Sequence, residues 1–76
     1  MGNEQKLRNA FESVLNVPID ENVSVENTPE WDSLHHLTLI LVLEESFGVS
    51  FTESEVVDAM SYPAMREALG EHGIIF

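Results

Sequence analysis

Apolar residues recur at helical spacing in the first part of the chain, from about Asn3 to Asn16. They fall at i, i+4, i+7 and i+8 on one face of an amphipathic helix, as Leu7, Phe11, Val14 and Leu15. Val17-Pro18 ends this helix, because the residue before a proline is disfavoured in the helical conformation. The irregular stretch 18–30 then predicts a long loop. Three apolar residues are expected to anchor that loop to the core: Ile19, Val23 and Val25.

The strongest helical pattern begins at Ser33 and runs to about Ser46. Asp32 directly precedes it, and aspartate is a preferred N-cap that also complements the positive end of the helix dipole. The segment is apolar nearly all round, with Leu34, Leu37, Leu39, Ile40, Leu41, Val42 and Leu43. Such a helix lies at the centre of a fold or presents part of its apolar surface to a partner. Gly48 suits the left-handed position that ends a helix.

Two shorter helices are predicted after residue 51. Thr52 and Glu55 form a capping box, and the helix that follows carries Val56, Val57 and Met60. Ser61 caps a last helix, which turns Met65, Ala68 and Leu69 inward and is ended by Gly70 and Gly73. The expected fold is a single all-α domain over residues 1–76. It is a small four-helix bundle of three longer helices and one short one, with a long loop between the first two.

The charge of the chain excludes several classes of partner. Fourteen acidic residues stand against three Lys and Arg among 76 residues, for a net charge of −11. Such a surface repels nucleic acids and anionic membranes, and it attracts basic partner proteins. The first residues lack the apolar core of a signal peptide, and no apolar run reaches the ~20 residues that span a bilayer. The sequence therefore predicts a cytoplasmic protein without a membrane span.

Enzymatic chemistry finds little support in the sequence. Cysteine is absent, which excludes a thiolate nucleophile and Cys-ligated zinc. Asp32, Ser33, His35 and His36 are the residue types of a hydrolase triad, but one helical turn cannot align them as orienter, base and nucleophile. Ser33 and His36 are spaced for at most a shared hydrogen bond. We therefore expect a protein that is not an enzyme.

A calcium loop is also excluded, although residues 20, 22 and 24 have the spacing of oxygen ligands. The glycine position of an EF-hand loop holds Val25, and the position of the bidentate glutamate holds Trp31. We therefore expect no dedicated metal site.

Ser33 has an unusual position, because it follows a long loop and an N-cap aspartate at the first turn of the main helix. A phosphodiester attached there would lie against free backbone N–H groups and the positive end of the helix dipole. The alternative is that Ser33 is an ordinary residue of a first helical turn. Position alone leaves both interpretations open.

Around Ser33 the sequence resembles the acyl carrier proteins. The similarity rests on Trp31, on Asp32-Ser33-Leu34, on Leu37 and Leu39-Ile40, and on the run Leu43-Glu44-Glu45-Ser46-Phe47-Gly48-Val49. It extends over nearly the whole chain, through the first helix, the long loop, the acidic balance and the two short closing helices. The tripeptide alone is weak evidence, but its combination with the closing run in a short acidic chain is specific.

The resemblance implies that Ser33 receives 4′-phosphopantetheine from coenzyme A through a phosphopantetheinyl transferase. The thiol of this arm would carry an acyl or related group as a thioester. Asp32 would assist the transferase and its magnesium ion. The resemblance also implies that Leu34 and Leu41 face partners, whereas a second set packs inward: Leu37, Ile40 and Leu43. The implied protein is a monomer that serves acyl-loading and acyl-processing enzymes with basic docking patches.

The chain departs from the pattern of fatty-acid carriers on the second helix. His35 and Thr38 stand where acidic residues are frequent, whereas Glu44 and Glu45 keep acidic charge near the end of the helix. The set expected to face partners is therefore Leu34, His35, Thr38, Leu41, Glu44 and Glu45. A specialised pathway fits these departures at least as well as general fatty-acid or polyketide synthesis.

Two other functions remain open at this stage. One is an unmodified acidic interaction bundle whose exposed leucines bind a partner helix, and the other is a small acidic inhibitor or nucleic-acid mimic. Attachment of phosphopantetheine at Ser33 would separate the carrier from both.

Overall fold

A computed structural model describes residues 2–76 of the chain. It contains four helices: α1 Asn3–Leu15, α2 Ser33–Phe47, α3 Glu53–Asp58 and α4 Tyr62–Glu71. The described residues form no strand beyond one isolated bridge between Ser24 and Ser61. None of these helices has the length and apolar character needed to cross a membrane. The predicted small helical bundle is confirmed, with α3 as its short member.

Three helices begin at the capping residues that the sequence predicts. The Asp32 carboxylate accepts a hydrogen bond from the His35 N–H, and the Ser61 hydroxyl accepts one from the Ala64 N–H. Thr52 forms the complete capping box with Glu55. These side chains satisfy N–H groups that would otherwise lack an intrahelical acceptor.

The helix ends differ from the predictions in several places. Residue Asn16 adopts the left-handed conformation after α1, and α2 extends by one residue to Phe47 before Gly48 turns the chain at φ +66°. The α4 helix continues through Gly70. A glycine ends a helix where a positive φ is required, and that conformation occurs at Gly73, with φ +89°.

Met60 lies beyond the end of α3, which corrects its predicted place on that helix. The chain turns at Ala59, whose side chain enters the core. The Met60 N–H donates to the Asp58 carbonyl at 2.9 Å, and the Met60 carbonyl accepts from the Val25 N–H at 3.0 Å. This backbone pairing ties the long loop to the junction between α3 and α4.

An aromatic cluster forms the centre of the core. The Phe11 ring meets the Trp31 ring edge to face at 5.3 Å and the Tyr62 ring at 4.9 Å. All three side chains are buried. Around them lie Leu7, Leu15, Leu39, Ile40, Leu43, Met65 and Leu69. The cluster joins α1, α4 and the loop that precedes α2 into one apolar interior.

The long loop is anchored as its apolar residues predict. Ile19 and Val23 are buried, and Val25 packs against the core while partly exposed. The Val23 carbonyl accepts a hydrogen bond from the Tyr62 N–H at 2.9 Å. The loop is therefore attached to the start of α4, and it delivers the chain to the first turn of α2.

Candidate functional site

Ser33 is the first residue of α2, and its side chain is exposed. The N–H groups of His35 and His36 are bound to the carboxylate and the carbonyl of Asp32. The N–H groups of Ser33 and Leu34 lie in the same turn, where a helix has no intrahelical acceptor for them. The Ser33 hydroxyl therefore projects into solvent beside two backbone donors and the positive end of the helix dipole.

Asp32 is held beside this serine by His35. The Asp32 Oδ1 atom accepts from the His35 backbone N–H at 2.9 Å and lies 2.8 Å from the His35 Nδ1 atom. The backbone hydrogen bond, and then the bond from the ring, lower the pKa of the Asp32 carboxyl below its usual value. Asp32 is therefore ionised at neutral pH, and His35 holds its carboxylate next to the exposed Ser33 hydroxyl.

His36 points away from Ser33 and into the protein, so the hydrogen bond that their spacing allows is not formed. Its side chain is only 7% exposed. The Trp31 indole N–H donates to the His36 Nδ1 atom at 2.9 Å, and the Nε2 atom lies 2.8 Å from the Val56 carbonyl oxygen. Because an indole N–H can only donate, Nδ1 is the acceptor and the proton is on Nε2.

A groove of about 500 Å³ adjoins Ser33 and is lined by residues of the loop, α2 and the segment after α3. Its polar end is formed by Asp32 and Ser33, and Trp31 and His36 form part of its wall. The apolar lining comes from Val25, Leu37 and Met60. Ser33 therefore lines a mostly apolar groove.

The outer face of α2 is a stripe of leucines that we call the leucine face: Leu34, Leu37 and Leu41, which are 71%, 56% and 66% exposed. The exposure of Leu34 and Leu41 agrees with their expected place on the outer side. Leu37 was expected to pack inward, and this expectation is wrong. The inward stripe of α2 is formed by His36, Leu39, Ile40 and Leu43, and Leu37 falls outside it between Leu34 and Leu41 at helical spacing.

The other residues expected to face partners have different surroundings. Thr38 is exposed, and its hydroxyl donates to the Leu34 carbonyl at 3.1 Å. Glu45 is exposed. The Glu44 carboxylate instead accepts from the Phe51 N–H at 2.8 Å and holds the connection between α2 and α3. Of the two acidic residues near the end of α2, Glu45 is therefore the one turned fully to solvent.

Sequence reasoning missed Trp31, His36 and Met60 as walls of the groove. A signal for His36 was present, because it precedes Leu39, Ile40 and Leu43 at inward spacing. The position of Met60 depends on the turn at Ala59, which no short-range pattern predicts. Within residues 2–76, no group of three or more His, Asp and Glu side chains is arranged to hold a metal ion.

Comparisons of the chain with protein-family models, with curated proteins and with solved structures find no match. The observations that bear on function are those of the site itself. They are the exposed Ser33 hydroxyl, the ionised Asp32 carboxylate, the adjoining groove and the leucine face.

Proposed function

We propose that this protein is an acyl carrier protein that bears 4′-phosphopantetheine on Ser33. The observation that carries the proposal is the exposed Ser33 hydroxyl on the first turn of a leucine-rich helix, directly after the ionised Asp32. The arm would carry an acyl or related group as a thioester. Partner enzymes of fatty-acid, polyketide or more specialised synthesis would load and process that group.

The carrier itself would supply only a few of the groups needed to attach the arm. The Ser33 oxygen forms a new bond to the phosphorus next to the pantetheine of coenzyme A. The P–O–P bond breaks, adenosine 3′,5′-bisphosphate leaves, and the serine proton passes to a base of the phosphopantetheinyl transferase. The carrier contributes an accessible hydroxyl and a neighbouring carboxylate, and Asp32 is available to the magnesium ion of the transferase.

The residues around Ser33 fit a phosphodiester. The free N–H groups of Ser33 and Leu34 and the helix dipole favour an anion at this point. The negative charge of Asp32 opposes it, but that carboxylate already accepts two hydrogen bonds from His35. The groove beside Ser33 offers apolar surface next to the attachment point.

The charge distribution supports delivery to basic partners. The side chains of all three Lys and Arg residues donate hydrogen bonds within the fold. Lys6 and Arg8 donate to backbone carbonyls, and Arg66 donates to carboxylates. Fourteen acidic residues against these three cations leave the chain with a net charge of −11. Complementary charges favour fast and reversible docking, and a tether raises the local concentration of the cargo at each partner.

The test is modification of the purified protein with coenzyme A, magnesium and a broad-specificity phosphopantetheinyl transferase. We expect complete conversion to a singly modified form, with the added mass on Ser33. Ser33→Ala abolishes the modification and keeps the fold, because Asp32 still caps α2 and alanine favours helices. Ser54→Ala is the matched control, since Ser54 is also an exposed serine in the first turn of a helix.

The alternative function is an unmodified acidic interaction module that docks through the leucine face. The exposure of Leu34, Leu37 and Leu41 favours it. It replaces the carrier proposal if the wild-type chain, folded by circular dichroism, stays unmodified with several different transferases. Modification of Ser33→Ala to the same extent as the wild type would also contradict the proposal.

A further inference from the structure

The His36 imidazole connects three parts of the fold. It belongs to α2, it accepts a hydrogen bond from Trp31 at the end of the long loop, and it donates one to the Val56 carbonyl of α3. The Trp31 and His36 rings are also stacked, with centroids 5.9 Å apart and planes 30° apart. The α3 helix has no buried residue of its own, and the His36 contact holds it together with the packing of partly buried Val56 and the His72 contact with Glu55.

Only the neutral form of His36 can make both hydrogen bonds. An indole N–H always donates, and it needs the lone pair of the His36 Nδ1 atom. A protonated imidazole carries hydrogen on both ring nitrogens, so it can keep the bond to the Val56 carbonyl but not the bond from Trp31. Trp31 is 3% exposed, and its N–H cannot turn to water without movement of the ring.

Among residues 2–76, no carboxylate forms an ion pair with His36 that would replace the lost bond. Ionisable groups lie on every element that packs against it: Glu30 in the loop, Asp32 and His35 at the start of α2, and Glu53, Glu55 and Asp58 on α3. None of their side chains has a hydrogen bond with the imidazole in residues 2–76. Asp32 is bound to His35, and Glu55 is bound to Thr52 and His72.

We propose that His36 is a pH-sensitive latch between the loop and α3. In the neutral form it holds the Trp31 ring in the wall of the groove beside Ser33. Protonation breaks the bond from Trp31, frees that ring and loosens the groove wall. The latch does not depend on any modification of Ser33, so it goes beyond the carrier proposal.

Fluorescence of Trp31 tests the latch directly, because this is the only tryptophan of the chain. Between pH 8 and pH 5.5 we expect the wild-type emission to shift to the red as the ring leaves its buried position. His36→Gln should abolish this shift, because the amide supplies one acceptor and one donor and does not ionise. His36→Leu should have the shifted spectrum at every pH. His35→Gln and His72→Gln are the matched controls and should titrate like the wild type.

A second measurement needs no variant of His36. The Trp31 indole N–H signal and the His36 ring signals of the wild-type protein are followed by NMR over the same pH range. The latch requires that both change with one midpoint, and that the indole proton exchanges faster with solvent below it. A wild-type Trp31 emission that does not change with pH would overturn the proposal. So would an emission shift that persists in folded His36→Gln, or an indole signal that does not follow the His36 titration.

Discussion

The side of the molecule formed by α1, α4 and the long loop differs sharply from the side formed by α2 and α3. On the first, which we call the closed side, charged and aromatic groups of distant segments bind one another. On the second, which we call the open side, Ser33 and the leucine face have few partners within the chain. One small bundle thus contains a side that stabilises the fold and a side that is available to other molecules.

Arg66 is the centre of the closed side. Its guanidinium binds the Glu4 carboxylate of α1 at 2.9 Å and the Glu21 carboxylate of the loop at 2.6 Å. The Tyr62 hydroxyl donates to the other oxygen of Glu4 at 2.6 Å, and the guanidinium lies 5.5 Å from the centre of the Tyr62 ring. These contacts join α1, the long loop and α4, which are far apart in sequence, so they stabilise the packing of these segments against one another.

The open side has apolar surface in place of such pairs. Val57 and Met60 are also exposed, and Met60 lines the groove together with Leu37. The contact at the start of α2 is local, between the Asp32 carboxylate and the His35 ring at 2.8 Å. This contact holds Asp32 beside Ser33 within one helical turn, and the leucine face stays exposed, which leaves this side accessible to a partner.

The largest difference in stability is expected between variants of two leucines of α2, one buried in the core and one on the leucine face. Leu39→Ala removes a fully buried side chain and should lower the free energy of unfolding by about 2–5 kcal/mol. Leu41→Ala, two residues on, removes a side chain that is mostly in solvent and should cost less than about 1 kcal/mol. Urea unfolding of both variants, followed by circular dichroism, measures the difference.

The same pair also tests docking. If the carrier proposal is correct, Leu41→Ala should slow acyl loading by a partner enzyme although its stability is nearly unchanged. An unfolding loss for Leu41→Ala in the core range would mean that this leucine packs in the fold, and the leucine face would then be shorter than the structure has it.

Local signals explain why the helix starts could be predicted from the sequence. Asp32, Thr52 and Ser61 each bond to an N–H group three residues away, so the information lies within one turn. Helix ends are harder, because Gly70 and Gly73 are the same residue type in different backbone conformations. The N–H groups of His72 and Ile74 both donate to the Leu69 carbonyl, and the positive φ that accompanies this turn falls at Gly73.

The site was predictable only in part, for a similar reason. The exposure of Ser33 follows from its place at a capped helix start, but a helix that is apolar on nearly all sides does not reveal its inward stripe. Leu37 was assigned to that stripe, and the position is instead taken by His36, which finds partners in Trp31 and Val56. Those partners come from other segments, so the pairing depends on tertiary structure.

A smaller effect is expected from removal of the charge at the centre of the closed side. Arg66→Met keeps an unbranched side chain but loses both ion pairs and the contact with the Tyr62 ring, and we expect a loss of about 1–2 kcal/mol. Lys6→Met is the matched control, because the Lys6 ammonium donates to the Ser46 carbonyl and lies over the Phe47 ring, and it forms no ion pair with the carboxylates of residues 2–76. Both variants change the net charge equally, so a larger loss for Arg66→Met measures the network itself.

The salt dependence of that loss sharpens the test. Ion pairs at partly exposed positions are screened by salt, so the difference between Arg66→Met and Lys6→Met should shrink in 0.5 M NaCl. Equal stability of the two variants at low salt would contradict the role given to the closed side.

The smallest effect concerns how the free energy of unfolding changes as the pH falls. The hydrogen bond from Tyr62, and then the contacts with Arg66, lower the pKa of Glu4 below its ordinary value of 4.5. A carboxyl with a lowered folded-state pKa stabilises the protein above its unfolded-state pKa, and the stabilisation is lost as pH falls through the folded value. Glu4→Gln should therefore be less stable than the wild type at pH 7, by under about 1 kcal/mol because Glu4 is partly exposed. The two proteins should converge in acid, where wild-type Glu4 is also uncharged.

Urea unfolding from pH 7 downward measures this difference, and Glu12→Gln, on the exposed side of the same helix, is the control. A gap between Glu4→Gln and the wild type that stayed constant with pH would mean that the amide disturbs packing, and that the charge of Glu4 adds nothing to the closed side.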